Sequence, residues 1–444
     1  MGYTESLSRF AKNYRFSDSD KSVINQAKLL MLDSFAAIME GNMKPGEAFR
    51  MRLRLSQSVP NKNRFGLILG TEDESDYPTA ALINGIAMVS DEMDEGNPLA
   101  KGHPACHFLP AFISLGLKHN VSGEDFLSAF IVNYEISARA GASVQAKQEI
   151  HPHGNWGVFG NGFGVGRLLG WENEEYYVQA SLLSSSYSLP TLWDSVMEGH
   201  KVRNSIIGFN NLHTVFIPDL INSGFSASPV TFETIFGKLL GNQADTELLA
   251  SGLGTDYYLL KSYFKFYSYC RFCHSPIDAV LSIAGDVELD EVSEITIDTY
   301  SLAAKLNGTS VANDFAGKFS IPFAVATELL RSKQVNTDSK DGKSQMQRLM
   351  GKVKVTENQQ FTAMLPSKRV TSAAILLKDG RRLETVAERA KGDVDEPQLH
   401  EKVVEKSKRA LSPIYGEEKT AQFLDNILRI EEQENLAFLY EMKP

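Results

Sequence analysis

The stretch SGEDFLSAFIVNYEISARAGA, residues 122–142, gives the clearest indication of the fold class. Ser122 precedes the apolar run and Asp125 lies near the third helical position, which is the arrangement of a capping box at a helix N-terminus. Apolar residues then recur at helical spacing along the stretch. The stretch therefore predicts a long, capped α-helix.

Helical patterns continue on both sides of this stretch. Residues 20–41 have apolar residues at helical spacing and a terminal glycine. Further helices are predicted over 77–95, 105–120, 156–170, 174–190 and 202–224. No strand pattern precedes residue 290, and helices return near the C-terminus. We therefore expect a large all-helical domain over 1–265, completed by C-terminal helices over 397–444.

The pattern changes after residue 290. Residues 292–304 alternate in hydropathy and are rich in β-branched side chains, as in a strand. Residues 352–360 and 370–388 resemble them, and the latter contain Asp379-Gly380, a hairpin turn sequence. Helices over 320–332 and 339–352 alternate with these strands. The sequence thus predicts a mainly α protein, with a smaller α+β lid domain over 266–396 beside the all-helical domain.

Composition narrows the classes of function. The chain has 444 residues, 43% hydrophobic and 23% charged, with a formal net charge of −10. Such a charge disfavours nucleic acid and anionic membranes as partners. We find no signal peptide and no apolar run long enough to span a bilayer. Three cysteines fit a reducing compartment, so a cytoplasmic location is expected.

Two of the cysteines lie in SYCRFCHSP, residues 268–276. C-x-x-C-H is the attachment pattern of c-type haem, but no export signal accompanies it. Cys270, Cys273 and His274 supply three zinc ligands at most, where about four are needed. A redox dithiol would need a βαβ context, and a helix is predicted to follow instead. The glycines of GNGFGVG, residues 160–166, lack a dinucleotide-binding spacing and are expected to allow close helix packing.

Four polar clusters lie at the junctions of loops and helices. They are SDEMDEGNPLAKGHP (90–104), QEIHPHGNWG (148–157), MEGHKVRNSIIG (197–208) and KFYSYCRFCHSP (265–276). In the second cluster, we expect the rings of His151 and His153 to lie on opposite sides of an extended loop. Histidines, lysines, arginines and acids in such a set suit proton transfer beside a carboxylate.

Taken in order, these clusters resemble the MmgE/PrpD family, which includes 2-methylcitrate dehydratase, cis-aconitate decarboxylase and iminodisuccinate epimerase. The similar motifs are EMDE (92–95) with GHPACHFLPA (102–111), HPHGNWGVFGNGFG (151–164), KVRNSI (201–206), KFYSYCRFCH (265–274) and KFSIPF (318–323). The resemblance covers most of the chain. It implies a helical N-terminal domain, a smaller α/β lid and a homodimer.

The clusters and the resemblance together nominate a site that needs no metal and no cofactor. The catalytic candidates are Glu92, Asp94, His103, His151, Lys201 and Lys265. The substrate-binding candidates are Arg203, Arg271, His274 and Lys318. The chain departs from the family pattern at Asn204, where the family has histidine, and at Phe323, where tyrosine is common. We expect the basic side chains to converge on one cleft beneath the lid.

The hypothesis that follows is a cofactor-independent lyase, acting on a small di- or tricarboxylate by proton abstraction next to a carboxylate. Phe323 lacks the phenol that could donate a proton, which disfavours cis-aconitate itself as the substrate. One alternative is an epimerase of a substituted succinate. Another is a catalytically degenerate homologue that binds a metabolite.

Overall fold

The computed structural model describes residues 2–58, 65–365 and 367–444. It is 59% helical and 10% strand, which confirms the mainly α prediction. The described residues form two compact units. The first comprises Met1–Leu192, Val202–Phe264 and Pro397–Pro444, and the second comprises Trp193–Lys201 and Lys265–Glu396.

The elements are numbered in chain order. The α-helices are α1 Tyr3–Asn13, α2 Lys21–Met43, α3 Glu47–Ser58, α4 Tyr77–Ser90, α5 Leu109–His119, α6 Gly123–Ser143, α7 Phe159–Leu168, α8 Glu174–Ser186, α9 Trp193–Met197, α10 Val202–Asn222, α11 Thr231–Thr234, α12 Glu247–Ala250, α13 His274–Ile283, α14 Ser301–Ala304, α15 Asp314–Gly317, α16 Ile321–Ser332, α17 Lys340–Met350, α18 Gln359–Ala363, α19 Leu399–Tyr415 and α20 Glu417–Leu428. The strands are β1 Gly66–Leu67, β2 Glu74–Ser75, β3 Val144–Ala146, β4 Ile150–His151, β5 Thr191–Leu192, β6 Gly241–Ala244, β7 Val292–Thr299, β8 Val353–Glu357, β9 Thr371–Leu377 and β10 Arg382–Ala387.

Helix α4 is the centre of the first unit. Its residues from Ala80 to Val89 are all buried, as expected for a helix that is apolar on every side. It packs against α2, α3, α5 and α10, while α6 packs against α7. The sequence pattern extended this helix to residue 95, but it ends at Ser90. The acidic residues that follow therefore form a turn within the unit and are not the last turn of a helix.

The first unit also contains short strands that the sequence analysis did not predict. They pair as β1 with β2, β3 with β6 and β4 with β5, each antiparallel. The expectation of an all-helical domain is therefore corrected in this detail. Segments of two to four residues are too short to show the alternation by which a strand is recognised.

Helix α7 carries the glycine-rich stretch. A Cβ at Gly162 would lie 2.1 Å from the backbone nitrogen of Ser181 in α8, and one at Gly164 would lie 2.3 Å from the Asn133 side chain in α6. Side chains at these positions would hold the helices apart. The prediction that these glycines allow close helix packing is confirmed.

The second unit is built on a four-stranded sheet in the order β10-β9-β7-β8. Strands β7 and β8 are parallel, and the other neighbours are antiparallel. Helices α13 and α16 pack against each other and against the sheet. The predicted hairpin is confirmed, because β9 and β10 flank Gly380, whose φ is 90°.

The segment Trp193–Lys201 packs with the second unit, although the sequence-based boundaries assigned it to the helical domain. Val196 is fully buried in the second unit's core, and Asn313 Nδ2 donates to the Gly199 carbonyl at 3.1 Å. No helix among the described residues combines the length and the apolar character needed to cross a bilayer.

Candidate active site

The acidic turn that follows α4 carries the first part of the candidate site. Glu92 has a φ of 57°, in the left-handed region, and the chain turns there. The side chains of Glu92, Asp94 and Glu95 are all buried, with at most 2% of each residue exposed. Buried carboxylates are costly unless positive charges or hydrogen-bond donors surround them. The partners of this turn therefore define the site.

Asp94 faces His103 directly. Its Oδ2 lies 3.1 Å from His103 Nδ1, and the Glu95 carbonyl oxygen lies 2.5 Å from the same nitrogen. Because both neighbours are acceptors, His103 Nδ1 carries the hydrogen and donates. In the neutral ring, Nε2 is then the basic nitrogen. A carboxylate that orients a histidine in this way also stabilises the imidazolium formed when Nε2 takes a proton.

Four imidazoles lie side by side in the interior of the first unit. The rings of His103 and His153 stack at a centroid distance of 4.8 Å, and those of His151 and His153 stack at 4.9 Å. His107 lies 6.2 Å from His153. The prediction that His151 and His153 point to opposite sides was wrong. Side chains two residues apart in an extended segment lie on the same side of the chain, which is how these two rings come to stack.

The hydrogen bonds of the stack indicate which nitrogens carry hydrogens. His151 Nδ1 accepts from the backbone N–H of His153 at 3.2 Å, so in the neutral ring its Nε2 carries the hydrogen. His107 Nδ1 donates to the His103 carbonyl at 2.9 Å, and its Nε2 accepts from the Gly154 N–H at 3.0 Å. Burial, and secondly the neighbouring His153, lowers the pKa of His107 to about 3. His107 is thus a neutral structural link between the two histidine segments.

Arg203, near the start of α10, is the buried cation beside the turn. Its guanidinium pairs with Glu92, donates to the Val89 carbonyl at 3.1 Å and lies 3.1 Å from His153 Nδ1. These contacts tie the end of α4 to the histidine stack. The predicted substrate-binding role of Arg203 stays a prediction, since its hydrogen bonds here go to protein atoms.

Glu95 was noted in the sequence but not included in the predicted site. Its Oε1 accepts from the Ala105 N–H at 2.9 Å, and its Oε2 accepts from the Tyr134 hydroxyl at 2.5 Å. Burial raises the pKa of the Glu95 carboxyl to about 8. Glu95 therefore fixes the segment that carries His103.

His153 was also omitted from the predicted site. In the sequence, Glu95 directly follows Asp94, and His153 lies two positions after His151, so each omitted residue is close to a predicted site residue. That proximity was the only available indication, because their roles depend on contacts between distant segments.

The second unit holds the remaining predicted residues. Lys201 Nζ lies 5.8 Å from the centre of the Phe315 ring. Lys318 Nζ donates to Ser268 Oγ at 2.8 Å, and its carbonyl accepts from the Cys270 N–H at 2.8 Å. Lys265 is completely buried. The expectation that these lysines share one cleft with the histidines stays a prediction.

Arg271 and His274 are linked within the same unit. Arg271 Nη2 pairs with Asp393 at 2.6 Å, and its Nη1 donates to the Lys391 carbonyl at 2.8 Å and lies 3.3 Å from His274 Nδ1. His274 is fully buried at the start of α13. Cys270 and Cys273 are buried free thiols, and burial raises the pKa of Cys273 well above its ordinary value.

The two departures from the family pattern have defined surroundings. Asn204 is buried, and its Nδ2 donates to Glu47 Oε1 at 2.9 Å in the first unit. Phe323 lies in the first turn of α16, and its ring packs so closely on Gly317 that a Cβ there would lie 2.7 Å away. Tyr269 packs edge-on at 6.5 Å from it.

Within the part of the chain that the structure describes, Asp94, His103 and His153 form one group with metal-ligand chemistry. Their ligand atoms lie within 4.8 Å of one another. A metal bound by His103 Nδ1 would have to replace its hydrogen bonds to Asp94 and to the Glu95 carbonyl. The expectation of a metal-independent site stays a prediction.

The chain is similar in sequence to known proteins. The MmgE/PrpD N-terminal domain matches residues 5–239, and the MmgE/PrpD C-terminal domain matches residues 267–431. The chain is 21% identical to cis-aconitate decarboxylase of Aspergillus terreus over 483 residues, covering 99% of this chain and 96% of the relative. It is 22% identical to the cis-aconitate decarboxylase-like protein oryM of Aspergillus oryzae (strain ATCC 42149 / RIB 40) over 301 residues, covering 62% of this chain and 60% of the relative.

The two domain matches follow each other along the chain and cover most of it. They include the acidic turn and the histidine segments of the first unit and Lys318 of KFSIPF in the second, whereas Lys265 lies between the two matches. The chain belongs to the MmgE/PrpD family.

Proposed function

We propose that this protein is a cofactor-independent lyase that acts on a small di- or tricarboxylate by removing a proton from the carbon next to a carboxylate. The observation that supports this most strongly is the buried contact between Asp94 and His103. It gives an imidazole a fixed tautomer with a basic Nε2, beside a carboxylate that stabilises its protonated form.

His103 is the better candidate for the base. It keeps 8% of its surface exposed, whereas His151 keeps 3% and His153 none. A base must reach a substrate carbon, so some access is required. His151 has the complementary polarity, since its Nδ1 accepts a hydrogen bond and its Nε2 carries a hydrogen. We propose that His151 Nε2–H donates a hydrogen bond to the leaving group.

In a dehydration, His103 Nε2 would take the C–H proton while the C–O bond breaks and a C=C bond forms. His151 Nε2–H would donate a hydrogen bond to the departing hydroxyl, and the His103 imidazolium would return its proton to that oxygen, so that water leaves and both rings are neutral again. In a decarboxylation, the C–C bond to the leaving carboxylate would break, CO₂ would depart, and a protonated histidine would deliver a proton to the remaining carbanion. Both routes pass through negative charge next to a carboxylate and need cationic groups to stabilise it.

We propose that Lys201, Lys265 and Lys318 provide this stabilisation by binding substrate carboxylates, with Arg271 and His274 supporting their segment. The relatives named cis-aconitate decarboxylase support a carboxylate substrate in general terms. Phe323 leaves open which carboxylate it is, because a phenol is missing at that position.

A screen of small polycarboxylates by ¹H NMR in deuterated buffer tests the proposal. The panel should include cis-aconitate, 2-methylcitrate, and sulfur- and nitrogen-substituted succinates. Loss of water or CO₂ from one compound, abolished in His103→Gln, is the expected result. Deuterium incorporation without net elimination would favour the epimerase. Binding without turnover across the panel would favour the degenerate homologue.

A further inference from the structure

Helix α19, near the C-terminus, carries a buried lysine that contacts the acidic turn. Lys406 has 9% of its surface exposed, and its Nζ lies 2.6 Å from Asp33 Oδ1 in α2 and 2.9 Å from the carbonyl oxygen of Met93. All three residues belong to the first unit. Met93 stands between Glu92 and Asp94 in the chain, so Lys406 bonds to the backbone of the turn itself.

Other side chains of the turn are held by different groups. Glu92 is held by Arg203, and Glu95 is held by Tyr134 and the Ala105 N–H. The bond from Lys406 fixes the carbonyl that precedes the Asp94 residue. The orientation of that peptide sets where the Asp94 side chain begins.

The contact between Asp94 and His103 is sensitive to small displacements. Its length is 3.1 Å, and hydrogen bonds weaken steeply beyond about 3.5 Å or when misaligned. A displacement of about 1 Å at a reacting group can cost about a hundredfold in rate. The polar contacts that hold this turn therefore affect the proposed chemistry as well as the fold.

The positive charge of Lys406 does not by itself explain why a lysine contacts the turn. Asp33 is fully buried and lies against the ammonium group, so the pair adds little net charge to the turn. What remains is a directed hydrogen bond to one carbonyl oxygen. We infer that Lys406 is a positioning residue, which holds the Met93 carbonyl so that Asp94 meets His103 Nδ1. The inference rests on the proposed function for its catalytic meaning.

Lys28 offers a matched control. It lies in α2, is 8% exposed, and pairs at 2.5 Å with Glu431 of the C-terminal segment. Both lysines thus connect α2 with residues beyond 397. Lys28 bonds to Glu431, whereas Lys406 bonds to the Met93 carbonyl of the acidic turn as well as to Asp33. Lys28→Met removes a comparable ion pair without removing the bond to Met93.

The test compares Lys406→Met, Lys406→Arg and Lys28→Met in the full chain. One readout is the ¹⁵N NMR spectrum of the His103 imidazole, assigned with His103→Gln. We expect Lys406→Met to change the ¹⁵N shifts of His103 and their pH midpoint, and Lys406→Arg to restore them. Lys28→Met should lower thermal stability and leave the His103 spectrum unchanged. On an active substrate, Lys406→Met should lower kcat about ten- to a hundredfold, with a smaller change in KM.

If Lys406→Met does not fold because the buried Asp33 loses its ammonium partner, the double variant Lys406→Met/Asp33→Asn removes both charges and still lacks the bond to Met93. An unchanged His103 spectrum in a folded Lys406→Met protein, or in the folded double variant, would overturn the inference. The NMR readout needs no substrate. A protein that turns over nothing therefore refutes the proposed function while leaving the positioning role open to measurement.

Discussion

Replacement of Asp94 by asparagine removes the carboxylate that orients His103 and preserves the shape of the side chain. Two unit charges 3.1 Å apart at an effective dielectric constant of about 20 attract by about 5 kcal/mol. This is the interaction that Asp94 offers once His103 is protonated. Since each ~1.4 kcal/mol in the barrier is a factor of ten in rate, the loss corresponds to about 10³–10⁴-fold. The asparagine dipole recovers part of it, so we expect kcat to fall about 10²–10⁴-fold.

The assay is steady-state turnover on the substrate found by the screen, with thermal unfolding measured in parallel. Because asparagine keeps the shape of the side chain and its Oδ1 can still accept from His103 Nδ1, we expect the variant to fold. Asp91→Asn is the control from the same turn. Asp91 pairs with Lys44 at 3.0 Å, its side chain is 25% exposed, and exposed pairs contribute little. A folded Asp94→Asn protein with kcat within about threefold of the wild type would refute the reasoning, since general acid–base catalysis is worth far more.

Other expectations concern pH, specificity and metals. Burial raises the pKa of Glu95 from an ordinary value of 4.5 to about 8, so between these values the folded protein holds a proton that the unfolded chain has released. Stability should therefore fall as pH rises through this window, and Glu95→Gln should flatten the dependence of the unfolding temperature on pH. Phe323→Tyr should increase decarboxylation of cis-aconitate, measured by CO₂ release, because it introduces a phenol that could donate a proton; no gain would remove Phe323 from the explanation of specificity. Dialysis against EDTA should leave activity unchanged, and a loss that Zn²⁺ or Fe²⁺ restores would show that Asp94, His103 and His153 bind a metal.

Local features of the fold could be predicted from the sequence. The predicted helix over 122–142 is α6, and Ser122 Oγ accepts from the Asp125 N–H at 3.1 Å as the capping box requires. The turn at Asp379-Gly380 lies between paired strands. Helix caps, turns and helical spacing depend on residues that are close in the sequence, so they can be recognised without knowledge of the rest of the chain.

The partners of the site could not be predicted in the same way. Lys406 and Met93 are 313 residues apart, and no local pattern indicates that a lysine in an amphipathic C-terminal helix reaches a turn near residue 93. The burial of Glu95 depends on Tyr134 and Ala105 in other elements. Sequence patterns therefore nominated the segments of the candidate site, and long-range packing determined how their side chains are paired.

The proposal depends on the tautomer of His103. ¹⁵N NMR of the histidine imidazoles near pH 7, in the wild-type protein without substrate, measures it directly. We predict a protonated Nδ1 and an unprotonated Nε2 for His103, with this preference weakened in Asp94→Asn. A hydrogen on Nε2 and none on Nδ1 would contradict the account, because the basic nitrogen would then face Asp94 and could not take a proton from a substrate.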